Sequence, residues 1–446
     1  MLKLFLWLRY LQKKKIVFLS FAAVALSVAL LIVVASLFTG FINAFERSAV
    51  EIIGDVVVSP PTRFPKYPQF IEQLERLNSV KKATAVLFGQ GLLHLGKGDV
   101  RAVEIWGIEP ARRAEVMDFK SVLLRQKGLP GQPSFEVQGQ PGKIGGFVGI
   151  GVLAEPNEKT DEYDFEKAEK MTGRQVVLTT GTVIENKEGQ QGQFKRKTVE
   201  FTIADIVYSG VYYSDKAFIY LPIEELRKVL YPNEDGQVAK QIQIKLADGA
   251  NVDAALAQIR GVWEDFASRQ LGWNSYLIRS TSIETAKQMQ SQLVAEFRKQ
   301  MGVLLLIFGI VSLSAVLLIF CIFYMIVMTR QKDIAIIKSC GAGSGSVASI
   351  FIGFGACVGV IGSAIGTAIG YVITKNINVV EQWIRIIFGL KIWKSSIYLF
   401  SRIPNEVDWA SAKFIVVLAV IAAVVGALIP AIVAAKTRPV EILRYE

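Results

Sequence analysis

Apolar positions along this chain fall into two regimes. Four runs are long and nearly uncharged: residues 16–42, 301–328, 346–374 and 414–435. Crossing about 30 Å of hydrocarbon takes roughly 20 apolar residues in a helix, so each run predicts a membrane span. Residues 43–300 behave differently. "GDVVVSPP", "VRAVEIWGIEP", "RQVVLTTGTV", "TVEFTIADIVYSG", "KAFIYLP" and "QIQIKL" read as half-buried strands, most of them with a two-residue period. "YPQFIEQLERL", "PIEELRKVL" and "VDAALAQIRGVWEDFASRQL" have a helical period instead. The pattern predicts an α-helical membrane protein with four transmembrane helices and a large α+β extracytoplasmic domain inserted between helices 1 and 2. The two ends of that domain are expected to form different subdomains.

Shorter patterns fill the intervals. Residues 1–15 carry "LKLFLWLRYLQKKK", the pattern of an amphipathic helix lying on the cytoplasmic face of the bilayer. "SIETAKQMQSQLVAEFRKQ" has no breaker before the second run, so one continuous helix is expected, a stalk from the domain into the membrane. Residues 329–345 form a charged, isoleucine-spaced turn of helix between the second and third runs. There Ile334 and Ile337 share a face with Gly341, Lys332, Asp333 and Lys338 point elsewhere, and Gly341 can supply a left-handed cap. Residues 375–413 form a loop whose "NVVEQWIRIIFGLKIW" puts Trp383, Ile384, Ile387 and Phe388 on one side, as in an interfacial helix. Glu155–Gly173 reads as a polar surface insertion, and residues 436–446 as a tail.

Charge sets the orientation. Lys3, Arg9, Lys13, Lys14 and Lys15 precede the first run, and Glu46, Arg47 and Glu51 follow it. Basic flanks stay in the cytoplasm, which puts the amino terminus and residues 436–446 inside and the domain outside. The loop at 375–413 runs against this count, with Lys375, Arg385, Lys391, Lys394, Arg402 and Lys413 on the external side. Signal-peptide cores span about 7–15 residues, so the longer first run reads as an uncleaved anchor. A net charge of +11 that gathers beside the spans points to anionic lipid headgroups and away from nucleic acid. The three cysteines, Cys321, Cys340 and Cys357, all lie in or beside the membrane half. The domain therefore needs no disulfide, which suits a bacterial periplasm.

Enzyme chemistry has little to build on. His94 is the single histidine, so multi-histidine metal sites cannot form and no triad has a choice of base. "GIGVLA", with Gly149, Gly151 and Ala154, matches a dinucleotide fingerprint only in isolation, without a clear βαβ unit around it. "QPGKIG" lacks the first glycine and the hydroxyl residue of a P-loop. No catalytic residue, metal ligand or cofactor site is assigned.

The stretch "RQKDIAIIKSCGAGSGSVASIFIGFGACVGVIGSAIGTAIG" resembles the R-x-x-[DE]-I-A-I-[LI]-[KR]-x-x-G-A signature of FtsX/MacB-type ABC transporter permeases. The ending "SIYLFSRIPNEVDWASAKFIVVLAVIAAVVGALIPAIVAAKTRPVEILRYE" is similar to the lipoprotein-releasing LolC/LolE branch, which closes on P-[VA]-E-x-[LI]-R-Y-E. "FIYLPIEELRKVL" and the amino-terminal "LRYL" fit as well, while the insertion at Glu155–Gly173 departs from the pattern. The resemblance implies a MacB-like periplasmic core over 43–300 and two permease subunits, identical or paralogous, above two ABC ATPase subunits. ATP and Mg would be bound by the ATPase and no cofactor by this chain; a periplasmic lipoprotein carrier would be a further partner. It makes 329–345 the coupling helix, with Lys332, Asp333, Ile334, Ile336, Ile337, Lys338 and Gly341 facing the ATPase. In a permease pair, acyl chains would enter between the external halves of the first two spans, at Phe38, Phe41, Ile42, Val303, Leu304 and Ile307. The function implied is extraction of lipoproteins, or a similar lipidated substrate, from the outer leaflet of the inner membrane. Two alternatives come from the wider superfamily: a MacB-like efflux permease for drugs or peptides, and an FtsX-like signalling device that moves no substrate.

Orientation is testable with a native residue. Cys340 is expected to react with a membrane-impermeant thiol reagent only in opened or inverted vesicles, with Cys340→Ser as the control; labelling in intact spheroplasts would reverse the topology.

Overall fold

A computed structural model describes residues 15–96, 98–137, 139–157, 160–184, 193–232, 236–329, 331–389, 391–394, 400 and 402–436. The expected amphipathic helix at 1–15 falls almost wholly outside these residues, as do Arg330, most of "SIYLFS" and the closing "TRPVEILRYE". The chain divides into two units. One comprises Phe45–Gln292 with Ile384–Arg402; the other comprises the segments up to Ala44, Leu293–Trp383 and the segment from Ile403.

Among its described residues the first unit is built on eleven strands: β1 Val56–Ser59, β2 Phe64–Pro65, β3 Val80–Gly96, β4 Asp99–Ile108, β5 Gly145–Gly149, β6 Gln175–Ile184, β7 Gln193–Val207, β8 Phe218–Pro222, β9 Val238–Ala239, β10 Gln241–Leu246 and β11 Ser282–Thr285. Nine of them form one sheet in the order β11-β1-β10-β3-β4-β8-β5-β7-β6, and β6 pairs again with β3. That last pairing closes β3, β4, β8, β5, β7 and β6 into a barrel and leaves β11, β1 and β10 as an open extension. Strand β3 belongs to both halves. Its Val80–Val86 portion pairs with β10, and from Leu87 onward it pairs with β4. The two expected subdomains are therefore a sheet and a barrel that share one strand. Closure leaves no barrel edge open to another chain. At the crossing of β3 and β6, a side chain on Gly91 would lie 2.7 Å from the Thr179 carbonyl oxygen, so only glycine fits.

Two helices cover the sheet extension. Tyr67–Glu75 and Val252–Arg269 bring Phe70, Trp263 and Phe266 against Phe64 with ring centroids 5.0–6.2 Å apart. Asn251 starts the second helix by accepting from the Ala254 amide at 3.1 Å, the usual N-cap arrangement.

Five strands escape the alternation pattern, and β2 and β9, of two residues each, are too short to carry one. Strand β3 reads "VKKATAVLFGQGLLHLG", whose glycines and mixed faces hide it, and β5 is glycine-rich. Strand β11 corrects the expected continuous stalk from Ser282. Thr285 forms a capping box, its hydroxyl accepting from the Gln288 amide at 3.1 Å while the Gln288 side chain accepts from the Thr285 amide at 2.8 Å. A capping box starts a helix, so Ser282–Thr285 stays extended. A short helix Ala286–Met289 follows, and the long one begins only at Ser291.

The insertion and the loop at 384–402 meet within this unit. Asp161, at φ +54, donates its amide to Asn157 O at 2.7 Å, and Asn157 N donates to Glu162 O at 3.0 Å. Lys391 meets this segment. Its Nζ lies 3.4 Å from Asp161 Oδ2 and donates to Thr160 O at 2.9 Å, with both side chains about nine-tenths buried. Arg385 pairs with Glu162 at 3.1 Å, and Phe400 makes a backbone bridge to Val211. Two of the basic residues that run against the charge rule are thus matched by carboxylates of the domain.

Among the described residues, four helices are long and apolar enough to cross a membrane, and the second unit holds most of each; they begin at or before Phe18 and at Ser291, Ser344 and Trp409. As elements they are Lys15–Ile53, Ser291–Thr329, Ser344–Lys375 and Trp409–Lys436. The first thus continues past residue 42 to Ile53. The third is the hub, and its glycines divide between two neighbours. Built side chains on Gly355 and Gly359 would meet Ala427 and Ala423 of the fourth helix at 2.5 and 3.0 Å. On Gly362, Gly366 and Gly370 they would meet Val24, Ala25 and Ile32 of the first at 2.6–3.2 Å. Bare backbone is what lets membrane helices approach this closely.

Gly366→Leu would press a side chain into the Ala25 carbonyl, and overpacking of this kind costs about 1–3 kcal/mol or more. The variant is expected to lower the detergent melting temperature and the yield of folded protein. Gly302→Leu, which meets nothing within 4 Å, should leave both unchanged.

Candidate functional site

The segment between the second and third long helices is a helix of its own, Gln331–Ser339. It ends as its glycines foretell. Gly341 stands at φ +94 and donates its amide to Lys338 O at 3.0 Å, while Ala342 N donates to Ile337 O at 3.3 Å. These two bonds make a Schellman cap, and the third helix starts immediately, with Gly343 as its N-cap.

The faces differ from the expectation. Ala335 is wholly buried, and Ile334, 3% exposed, belongs to the cluster that holds Ile326, Val327, Val347 and Ala431. Lys338 Nζ donates to Ala435 O at 2.8 Å. That carbonyl lies near the end of the described fourth helix, where the dipole favours a cation. Ile334 and Lys338 therefore tie the segment to its own chain. The apolar side chain turned outward is Ile336, 53% exposed, with Lys332, Cys340 and Gly341 also on the surface and Asp333 and Ile337 half-buried.

The six residues at the other end of the first two long helices are only partly together. Phe38 and Phe41 are half-buried and Ile42 is buried. Phe41 packs edge-on against Phe297 of the second helix, centroids 5.0 Å apart, a geometry worth about 0.5–1.5 kcal/mol beyond burial. Val303 and Ile307 are exposed and Leu304 is half-buried. Next to them lies a polar lock that the hydropathy pattern does not reveal. Asp408 caps the fourth helix by accepting from the amides of Ala410 and Ser411, and also accepts from Thr39 Oγ1 at 2.9 Å. Its own amide donates to Ser36 Oγ at 3.1 Å. The signal available was an aspartate directly before a long apolar helix, an N-cap pattern. Deeper along the same helices, Val24, Val28, Leu31, Leu313, Val316 and Leu418 help line an apolar crevice of about 180 Å³. None of the six expected gate residues lines it.

The two weaker motifs resolve as packing. In "GIGVLA", a side chain on Gly149 would sit 2.3 Å from Asp215 O, and one on Gly151 3.0 Å from the Lys216 backbone. The loop is glycine-rich because a helix crosses it. Asp215 holds that crossing by accepting from Ser209 N, Ser209 Oγ and Gly210 N at 2.7–3.0 Å, and burial pushes its carboxyl up to about 6. His94 stands on β3 with its Nε2 3.1 Å from Thr179 Oγ1, a partner within the barrel wall.

Comparison with known proteins accords with this architecture. The family model described as "MacB-like periplasmic core domain" matches residues 17–262, and "FtsX-like permease C-terminal" matches 305–439. The chain is 26% identical to the lipoprotein-releasing system transmembrane protein LolC of Neisseria meningitidis serogroup B, covering 100% of this chain and 99% of that one. It is 31% identical to the lipoprotein-releasing system transmembrane protein LolE of Haemophilus influenzae over 27% of this chain and 29% of that one. The periplasmic region of MacB from Actinobacillus actinomycetemcomitans aligns with 55% of this chain and 95% of its own, at 12% identity and a TM-score of 0.32. With the first family model spanning more than half of its length, the chain belongs to the MacB-like periplasmic core domain family and joins that domain to an FtsX-like permease C-terminal segment.

Proposed function

We propose that this chain is a permease subunit of an ABC transporter that extracts lipoproteins, or a similar lipidated substrate, from the outer leaflet of the bacterial inner membrane. The observation that carries this reading is similarity over the whole chain to a protein named for lipoprotein release. The efflux and signalling alternatives rest on the family models alone. In this reading the four long helices span the membrane and the sheet-and-barrel unit stands in the periplasm, between the first two spans in chain order. ATP and Mg are held by a separate ABC ATPase, and a second permease subunit, identical or paralogous, completes the channel. Membrane lipids surround it, and a periplasmic lipoprotein carrier receives the product.

The work required explains the design. Each buried CH₂ of an acyl chain contributes about 0.8 kcal/mol to anchoring, so extraction must be driven. Helix Gln331–Ser339 follows the second long helix after a single residue and is clamped to the bundle by Ile334 and Lys338. A push on its outward side, at Ile336 and Lys332, is therefore delivered to packed helices and not absorbed in a loose hinge. The second helix leads back to β11, which pairs with β1, the strand that follows the first helix. A two-state displacement has a continuous path between the ATPase and both helix roots.

Ile336→Asp is expected to keep the melting temperature and basal ATP hydrolysis while lowering substrate release about tenfold, a coupling loss within the usual range. Ile334→Asp puts a charge into the helix packing, which costs several kcal/mol, and should reduce folded yield instead. Normal release by a well-folded Ile336→Asp complex would remove the coupling role. At the entrance, Phe41→Glu and Leu304→Glu should each leave expression and basal ATP hydrolysis intact but abolish crosslinking to, and release of, a lipidated substrate. Wild-type release by both would dismiss the gate.

A further inference from the structure

The Gln243 and Gln241 side chains of β10 alternate with isoleucines, the pattern of a strand with one wet face, yet both are buried. They belong to a polar chain: Gln241 Nε2 donates to Ser59 Oγ at 2.9 Å, Gln243 Nε2 donates to Gln241 Oε1 at 3.0 Å, and Gln243 Oε1 accepts from Arg113 Nη1 at 2.9 Å. Arg113 is 1% exposed and has no ion pair among the described residues. Burial pulls its guanidinium down to about 10, so it remains charged at neutral pH. A buried cation without a carboxylate is an expensive group to keep.

Its surroundings show what it holds. Arg113 Nη2 donates to Ile52 O at 2.7 Å, one of the last carbonyls of the first long helix, whose dipole presents its negative end there. Gly54, at φ +83, terminates that helix and turns the chain into β1. The guanidinium carbon also lies 5.1 Å from the Trp106 ring, 5.2 Å from Phe119 and 5.8 Å from Tyr220, within reach of cation–π attraction. Trp106 and Tyr220 are barrel residues on β4 and β8, and Gln243 belongs to the sheet extension. One side chain thus touches the helix root, the sheet and the barrel. The planar fork of arginine suits this, because it serves two acceptors and stacks on rings at once.

We propose that Arg113 is a positioning residue for substrate release, joining the root of the first long helix to both halves of the sheet-and-barrel unit so that displacement arriving along the helix reaches the barrel. This rests on the transport reading, and the test separates the two. The full chain, with Cys321, Cys340 and Cys357 changed to Ser, carries spin labels at Glu51→Cys on the helix root and Thr198→Cys on the barrel. It is assembled with its ATPase and partner permease.

Arg113→Met preserves much of the side-chain volume, and Arg113→Lys preserves the charge but cannot reach Ile52 and Gln243 together. Each is expected to melt within about 5 °C of the wild type and to hydrolyse ATP at the basal rate. Each should also broaden the interlabel distance distribution and lower release of a lipidated substrate about tenfold. Wild-type distance and release in either folded variant would overturn the proposal, as would lost release with an unbroadened distance. Unfolding of both variants would make Arg113 a folding residue and overturn it as well. If the unsubstituted complex releases no lipidated substrate, the transport reading fails, while the label distances still decide whether Arg113 holds the helix root.

Discussion

The pairing of β1 with β11 is the constraint on which the rest depends. The chain leaves the first long helix at Ile53 and enters the second at Ser291. Four residue pairs, Val56 with Thr285 through Ser59 with Ser282, bring these distant points side by side. Closing a loop on the order of 200 residues costs about 5 kcal/mol, more than four strand pairs supply alone. The closure is held because β1 is also paired to β10, and β10 to β3, so the barrel and the aromatic layer around Trp263 stabilise it together. Two helix roots that share neighbouring strands cannot drift independently. This is the property a device that converts helix movement into domain movement requires.

Among the long helices, bare backbone does the equivalent work. Gly355 and Gly359 face the fourth helix and Gly362, Gly366 and Gly370 the first. The single-residue shift of the glycine spacing between Gly359 and Gly362 turns the bare face from one neighbour to the other. Water expulsion drives little association inside a bilayer, so close van der Waals contact and a few hydrogen bonds must suffice. The bonds gather at the helix ends, with Asp408 tying Ser36 and Thr39 to the start of the fourth helix and Lys338 closing its far end.

The loop at 384–402 shows how an unfavourable charge distribution is accommodated. In the proposed orientation its lysines and arginines oppose the positive-inside tendency. Lys391 and Arg385 are received by Asp161 and Glu162 of the insertion that departs from the family pattern. Removing one partner of a pair as buried as Lys391–Asp161 would strand a charge, at a cost of about 3–5 kcal/mol. Placed this way, the insertion serves the chain itself, while Ile387 and Phe388 of the same loop stay exposed.

The sequence by itself determined whatever is written in local period and local chemistry. Four uncharged runs specify four long helices, because hydrocarbon demands about 20 apolar residues whatever surrounds them. Alternation located β1, β4, β6, β7, β8 and β10, and Gly341 marked the end of helix Gln331–Ser339, since a left-handed cap needs glycine there. Tertiary structure decided the partners and the faces. It bent β3 between sheet and barrel, made a strand of Ser282–Thr285, and buried Gln241 and Gln243 on the side that alternation assigns to water. It also turned Ile334 inward and Ile336 outward, and set Arg113 against Ile52. The physical reason is that periodicity records how often a face recurs, whereas burial depends on what distant chain arrives to cover it.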